Sequence, residues 1–166
     1  GADMKQEDTK QRIVDKALEL FSERGYDAVS VGEIATAVGI KAPSLYNHFP
    51  SKQSIFDAIV ETTALKYEKD TDKIDIHVQS AAADVPMMMT IGENELFEKV
   101  RQIFDYSLHN DNIRRFRKMM TIEQFRSPKF GELYTKRFSE RLVDYHAEIF
   151  KSLIAAGVIC DGDVNA

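Results

Sequence analysis

A chain of 166 residues, 43% hydrophobic and 30% charged, holds enough apolar material for one domain, or for a small domain plus a larger one. Its net charge of -5 argues against a protein that coats nucleic acid indiscriminately, although an acid-free face is enough for a specific binder. A single cysteine, Cys160, excludes an internal disulfide framework, and the expectation is a reduced, cytoplasmic protein with no signal peptide and no membrane span.

Gly1-Ala2-Asp3 reads as a remnant of expression, with Met4 the natural start. Ile13, Val14, Ala17, Leu18 and Phe21 recur at the spacing of one helical face, so a helix is predicted from Thr9 to Arg24. Glu7 and Asp8 precede it, on the favourable side of its dipole, and Gly25 ends it.

The stretch from Ser30 to Lys52 is the most informative. Ser30 and Glu33 form an S-x-x-E capping box, and Ile34, Ala35 and Val38 give the next helix one apolar face. Gly39 closes that helix where a left-handed backbone is wanted. A short helix follows over about 42–49, with Pro43 in its first turn and Leu45 and Phe49 on its inward side. Two short helices joined at a glycine are the layout of a DNA-reading helix-turn-helix. No acid lies between Glu33 and Asp57, and Lys41, Ala42, Ser44, Tyr46, Asn47 and His48 face away from Leu45 and Phe49, suiting phosphates and base edges. The same pattern also fits a plain three-helix packing unit whose short helix lacks acids.

Ser51 caps a longer helix with the stripe Ile55, Phe56, Ile59, Val60, Ala64 and Tyr67. Residues 74–91 read as a loop or a frayed helix end, because Pro86 breaks any helix. Helices follow over Glu93–His109 and Ile113–Arg126, separated at Asn110-Asp111. Ser127-Pro128 then opens a last long helix to about Ala156, which Gly157 terminates. Val158 to Asp163 look like a turn into a further helix, with Cys160 a small apolar filler. The expected fold is all-α, with a helix-turn-helix domain over 1–52 and a helical bundle over 53–166.

The ordered set Ala17-Leu18-Glu19-Leu20-Phe21, Gly25-Tyr26, Ser30-Val31, Ile34-Ala35, Val38-Gly39-Ile40, Leu45-Tyr46, His48-Phe49, Ser51-Lys52 and Ile55-Phe56 resembles the TetR (TetR/AcrR) family of bacterial transcriptional repressors. The resemblance covers about residues 9–56. It implies a homodimer that places the helix around 42–49 of each subunit in a major groove of a palindrome-like operator. Lys52 and Tyr46 match positions that touch phosphates, and Ser30 a helix start that also meets the backbone. Lys41, Ala42, Pro43, Ser44 and Asn47 match positions facing base edges and sugars. The family usually has two more helices beyond the point where this chain stops. The bundle is therefore expected to be cut short, or to dimerise through another surface.

The resemblance further implies a small-molecule effector held in the C-terminal bundle, shifting the population toward a conformer with helix four tilted. Whether it releases or promotes DNA binding is open, release being the usual repressor logic. Met87, Met88, Met89, Phe97, Phe104, Phe116, Met119 and Tyr145 are the pocket candidates, pointing to an apolar or aromatic ligand; for any single one of them ordinary core packing is the commoner role. Arg114, Arg115, Arg117 and Lys118 suit an anionic ligand or partner, or a solvated helix face. No enzyme, cofactor or metal site is expected. His48, His77, His109 and His146 are scattered, there is no Gly-rich phosphate loop, and Asp161-Gly162-Asp163 lacks the downstream ligands of a calcium loop. The rival reading is a helical protein-interaction module without DNA binding.

Overall fold

The computed structural model describes residues 1–157, and every regular element among them is helical. In order these are α1 (Ala2–Arg24), α2 (Val31–Val38), α3 (Ala42–His48), α4 (Lys52–Asp72), α5 (Ala81–Thr90), α6 (Glu93–His109) and α7 (Asp111–Arg126). A final rod comprises α8 (Pro128–Tyr134), a π-helical turn (Thr135–Ser139) and α9 (Glu140–Ala155). The turn expected over Val158 to Asp163, with Cys160, lies outside the described residues. Among the described residues no helix is long and apolar enough to cross a membrane.

Two elements differ from the sequence reading. Helix α1 starts at Ala2, so Glu7 and Asp8 lie within it, exposed, instead of ahead of it. Pro86 does not break a helix: it sits in the second turn of α5. There it removes one backbone hydrogen bond, and its fixed φ suits the helix. Packing supplies the rest. The Asp84 carboxylate, 1% exposed, accepts the His77 backbone N–H at 2.7 Å, lies 2.5 Å from His77 Nδ1, and accepts the Tyr145 hydroxyl. Ile76, Tyr145 and Ile149 form a small core there, with Val85, Met87, Met88, Ile103 and Leu153 against it.

The main core runs through both expected domains. Ile13, Phe21, Ile34 and Leu45 share it with Phe56 and Ile59 of α4, Phe116 and Met119 of α7, and Phe130 of α8. Phe56 stacks on Phe130 with centroids 3.9 Å apart, and the Tyr26 ring meets Phe130 edge-on at 4.9 Å. Such pairs add to the burial energy of their area.

Candidate nucleic-acid interface and effector cleft

The helix-turn-helix geometry follows from local chemistry. Ser30 Oγ accepts the Glu33 N–H at 3.1 Å, and Glu33 returns a carboxylate oxygen to the Ser30 N–H at 2.8 Å. That backbone bond, then Arg24 at 2.8 Å, lowers the Glu33 carboxyl to about 2. Gly39 takes φ 82°, ψ 29°, the left-handed conformation that lets its N–H reach Ala35 and Thr36 carbonyls. Arg12 donates to the Val38 carbonyl at 2.6 Å, tying the end of α2 to α1.

Helix α3 then presents one face inward and the other outward. Leu45 and the following Phe49 are buried, whereas Lys41, Pro43, Ser44, Tyr46 and Asn47 are exposed. Ala42 and His48 are half-buried at its edges. Ser30, also exposed, commits its hydroxyl to the cap. Lys52 is different. Its ammonium donates to the Tyr26 carbonyl at 2.8 Å and the Val29 carbonyl at 3.0 Å, and lies 4.3 Å from the Tyr26 ring centroid. Two of its three N–H groups are thus turned inward.

The pocket candidates do not come together. Only Phe116 lines the cleft between α4, α7 and the rod. Met119 is fully buried in the main core, Tyr145 is bound to Asp84, and Met87 and Met88 pack on the small core. Met89, Phe97 and Phe104 stand exposed, Phe97 at 71%. The sequence reading missed Tyr67, Tyr134 and Phe138, which give the cleft aromatic walls. It also missed an ionic cluster on α4 and the rod. Arg137 donates Nε and Nη2 to Glu61 at 2.8 and 3.1 Å and Nη1 to Glu68 at 3.0 Å; Arg141 Nη1 reaches Glu68 at 2.5 Å. A readable signal existed: Glu61 and Glu68 share one helix face two turns apart, and Arg137 and Arg141 one turn apart. Of the basic run on α7, Arg114 pairs with Asp111 at 3.3 Å, Arg117 donates to the Ser107 carbonyl at 2.9 Å, and all four residues are exposed.

Residues 13–59 match the family model described as bacterial regulatory proteins, tetR family. The negative transcriptional regulator IcaR of the icaADBC biofilm operon in Staphylococcus aureus is 50% identical over 52 residues, 31% of this chain and 28% of that protein. The transcriptional repressor ComR of Escherichia coli K12 is 37% identical over 79 residues, 45% of this chain and 38% of that protein. The matched stretch thus spans under half the length of these curated relatives. Among solved structures, the regulator PfmR from Thermus thermophilus is similar at 26% identity and TM-score 0.59, covering 92% of this chain and 76% of the other.

Proposed function

We propose that this chain, whose residues 13–59 match the tetR family of bacterial regulatory proteins, is a sequence-specific DNA-binding repressor, released from its operator by a small-molecule effector. The observation that carries the reading is the two-faced α3: Leu45 is buried beneath it, while Lys41, Ser44, Tyr46 and Asn47 project from an acid-free surface after the Gly39 turn. Tyr46 serves phosphates, and Lys41, Ala42, Pro43, Ser44 and Asn47 face base edges and sugars, the exposed Lys41 ammonium also reaching a phosphate. His48 stands at the edge of that surface. Ser30 and Lys52 position the reader from either side, Lys52 with one N–H left for a phosphate.

The protein acts as a cytoplasmic homodimer on a palindrome-like operator, its two α3 helices reaching successive major grooves. The effector binds between α4, α7 and the rod and favours a conformer in which α4, and the reader on it, no longer match the half-site spacing. Selection of bound duplexes from a random pool tests this. A palindrome-like winner, bound by the purified dimer and lost in the Asn47→Ala plus Lys41→Ala variant, is expected. Absence of binding to every duplex at low salt by folded, dimeric protein would overturn it.

A further inference from the structure

The cleft between α4, α7 and the rod encloses about 220 Å³. That exceeds the roughly 150 Å³ of a dry cavity that admits benzene. Its walls are aromatic: Tyr67, Phe116, Tyr134 and Phe138. Its charge is unbalanced. Arg117, Arg137 and Arg141 line it, and the only carboxylates bonded to any of them among the described residues are those of Glu61 and Glu68. One positive charge is left over there.

The donors are unevenly used. All three nitrogens of Arg137 are engaged by Glu61 and Glu68. Arg141 uses Nη1 alone, on Glu68, and keeps the edge formed by Nε and Nη2. Arg117 uses Nη1 alone, on a neutral carbonyl. A planar guanidinium edge with two free N–H groups matches a carboxylate in fork geometry.

We infer that this cleft takes an aromatic carboxylate of one or two rings, its anion bound by Arg141 and Arg117 in competition with Glu68. The rings lie among Tyr67, Phe116 and Phe138. The anion arrives beside the Glu68 carboxylate, which is already 2.5 Å from Arg141, so the two negative charges repel. Moving Glu68 away relieves that repulsion. Glu68 belongs to α4, whose first residue, Lys52, grips the reader's loop at Tyr26 and Val29. The ligand's charge therefore bears directly on the helix that carries the reader. This inference rests on the effector-responsive reading above and gives its ligand a chemical class.

The test is isothermal titration of the full chain with benzoate and 1-naphthoate against the neutral isosteres benzamide and 1-naphthamide. At least one acid should bind about tenfold more tightly than its amide, the margin of a charge-assisted over a neutral hydrogen bond. Arg141→Gln should remove that margin and leave amide affinity in place. Arg117→Gln, at an exposed position, should narrow it independently. Glu68→Gln should raise affinity for the acid. Equal binding of acid and amide, an undiminished margin in both arginine variants, or binding of neither acid to protein that circular dichroism shows to be folded would overturn the inference. Duplex binding is measured separately without ligand. Its loss alone sinks the regulator reading, and failure of the acids alone sinks the ligand class.

Discussion

Glu123 Oε1 accepts the backbone N–H of Tyr26 at 3.0 Å, from a side chain only 2% exposed. The carbonyl of the same Tyr26 is held by Lys52 at 2.8 Å. One residue of the α1–α2 connection is thus gripped by its N–H from α7 and by its carbonyl from α4. The two helices that hold the reader's loop also wall the cleft, through Phe116 on α7 and Tyr67 on α4. Glu123→Ala should strand the part-buried Tyr26 N–H and cost about 1–3 kcal/mol in urea unfolding. Glu123→Gln, which keeps an acceptor oxygen, should cost less. Equal losses would show that the hydrogen bond is not what holds the loop.

Loss of Lys41 or of Lys52 should weaken the salt dependence of duplex binding, and the two should separate in stability. Lys41 is exposed and has no ion pair among the described residues. Lys41→Ala should lower the slope of log K against log salt by about 0.9 for one lost phosphate contact, with stability unchanged. Lys52→Ala should also lower the unfolding free energy by about 1.5–3 kcal/mol, since a charged donor leaves two carbonyls. A Lys52→Ala protein of full stability would contradict the inward anchoring.

At Gly39 an added Cβ meets nothing within 4 Å, so the penalty of substitution lies in the backbone alone. Gly39→Ala should cost about 1–2 kcal/mol, the strain of φ 82° for an L-residue. Gly39→Val should cost more, because a β-branched side chain tolerates that region least. Operator affinity should fall with it, while α5 to α9 keep their helical signal. Unchanged affinity in Gly39→Val would misplace the turn.

The tie between α5 and the connection that precedes it, His77 to Asp84, should depend on pH. The hydrogen bond to Asp84 raises the His77 pKa above its ordinary 6.5, burial opposes this, and the Asp84, Asp72 and Asp75 charges reinforce it. A raised folded value means the contribution is complete below 6.5 and is lost as pH climbs through the folded value. Tyr145 faces the same carboxylate and stays protonated throughout this window, its pKa being raised by burial and by Asp84. Thermal midpoints should therefore fall from about pH 6 to about pH 9 by more in the native chain than in His77→Ala. Parallel pH profiles would remove the ion pair from the account.

The reader was legible because its chemistry is local. Ser30 and Glu33 are three residues apart, Gly39 follows directly on the last apolar residue of its helix, and Leu45 and Phe49 are one turn apart. The cleft was legible only as two matched spacings, Glu61 with Glu68 and Arg137 with Arg141; that the two pairs meet was not, because Arg137 reaches Glu61 from 76 positions away and Arg141 reaches Glu68 from 73. Periodicity could mark Phe104 and Phe116 as apolar, but not that one would stand in solvent and the other against the core. Helix α5 was hidden for a different reason. Pro86 is a strong local signal, and the buried Asp84 bonds that override it come from His77 and Tyr145, outside the window in which a helix is read.

The π turn at Thr135–Ser139 sets the phase of everything after it. A π turn holds one residue more than the α-helix it interrupts, and takes up that residue locally. Were the same residues wound as unbroken α-helix, every side chain beyond would stand rotated by about 100°, one residue's step around the axis. Arg141 would then face away from Glu68 and Tyr145 from Asp84 together. Deleting a single residue within the turn should let the rod close into continuous α-helix with both contacts kept, seen as hydrogen-exchange protection retained in α1 and in α5; lost protection in α5 would contradict this. The one extra residue, held where it is, thus keeps the second half of the molecule in register with the first.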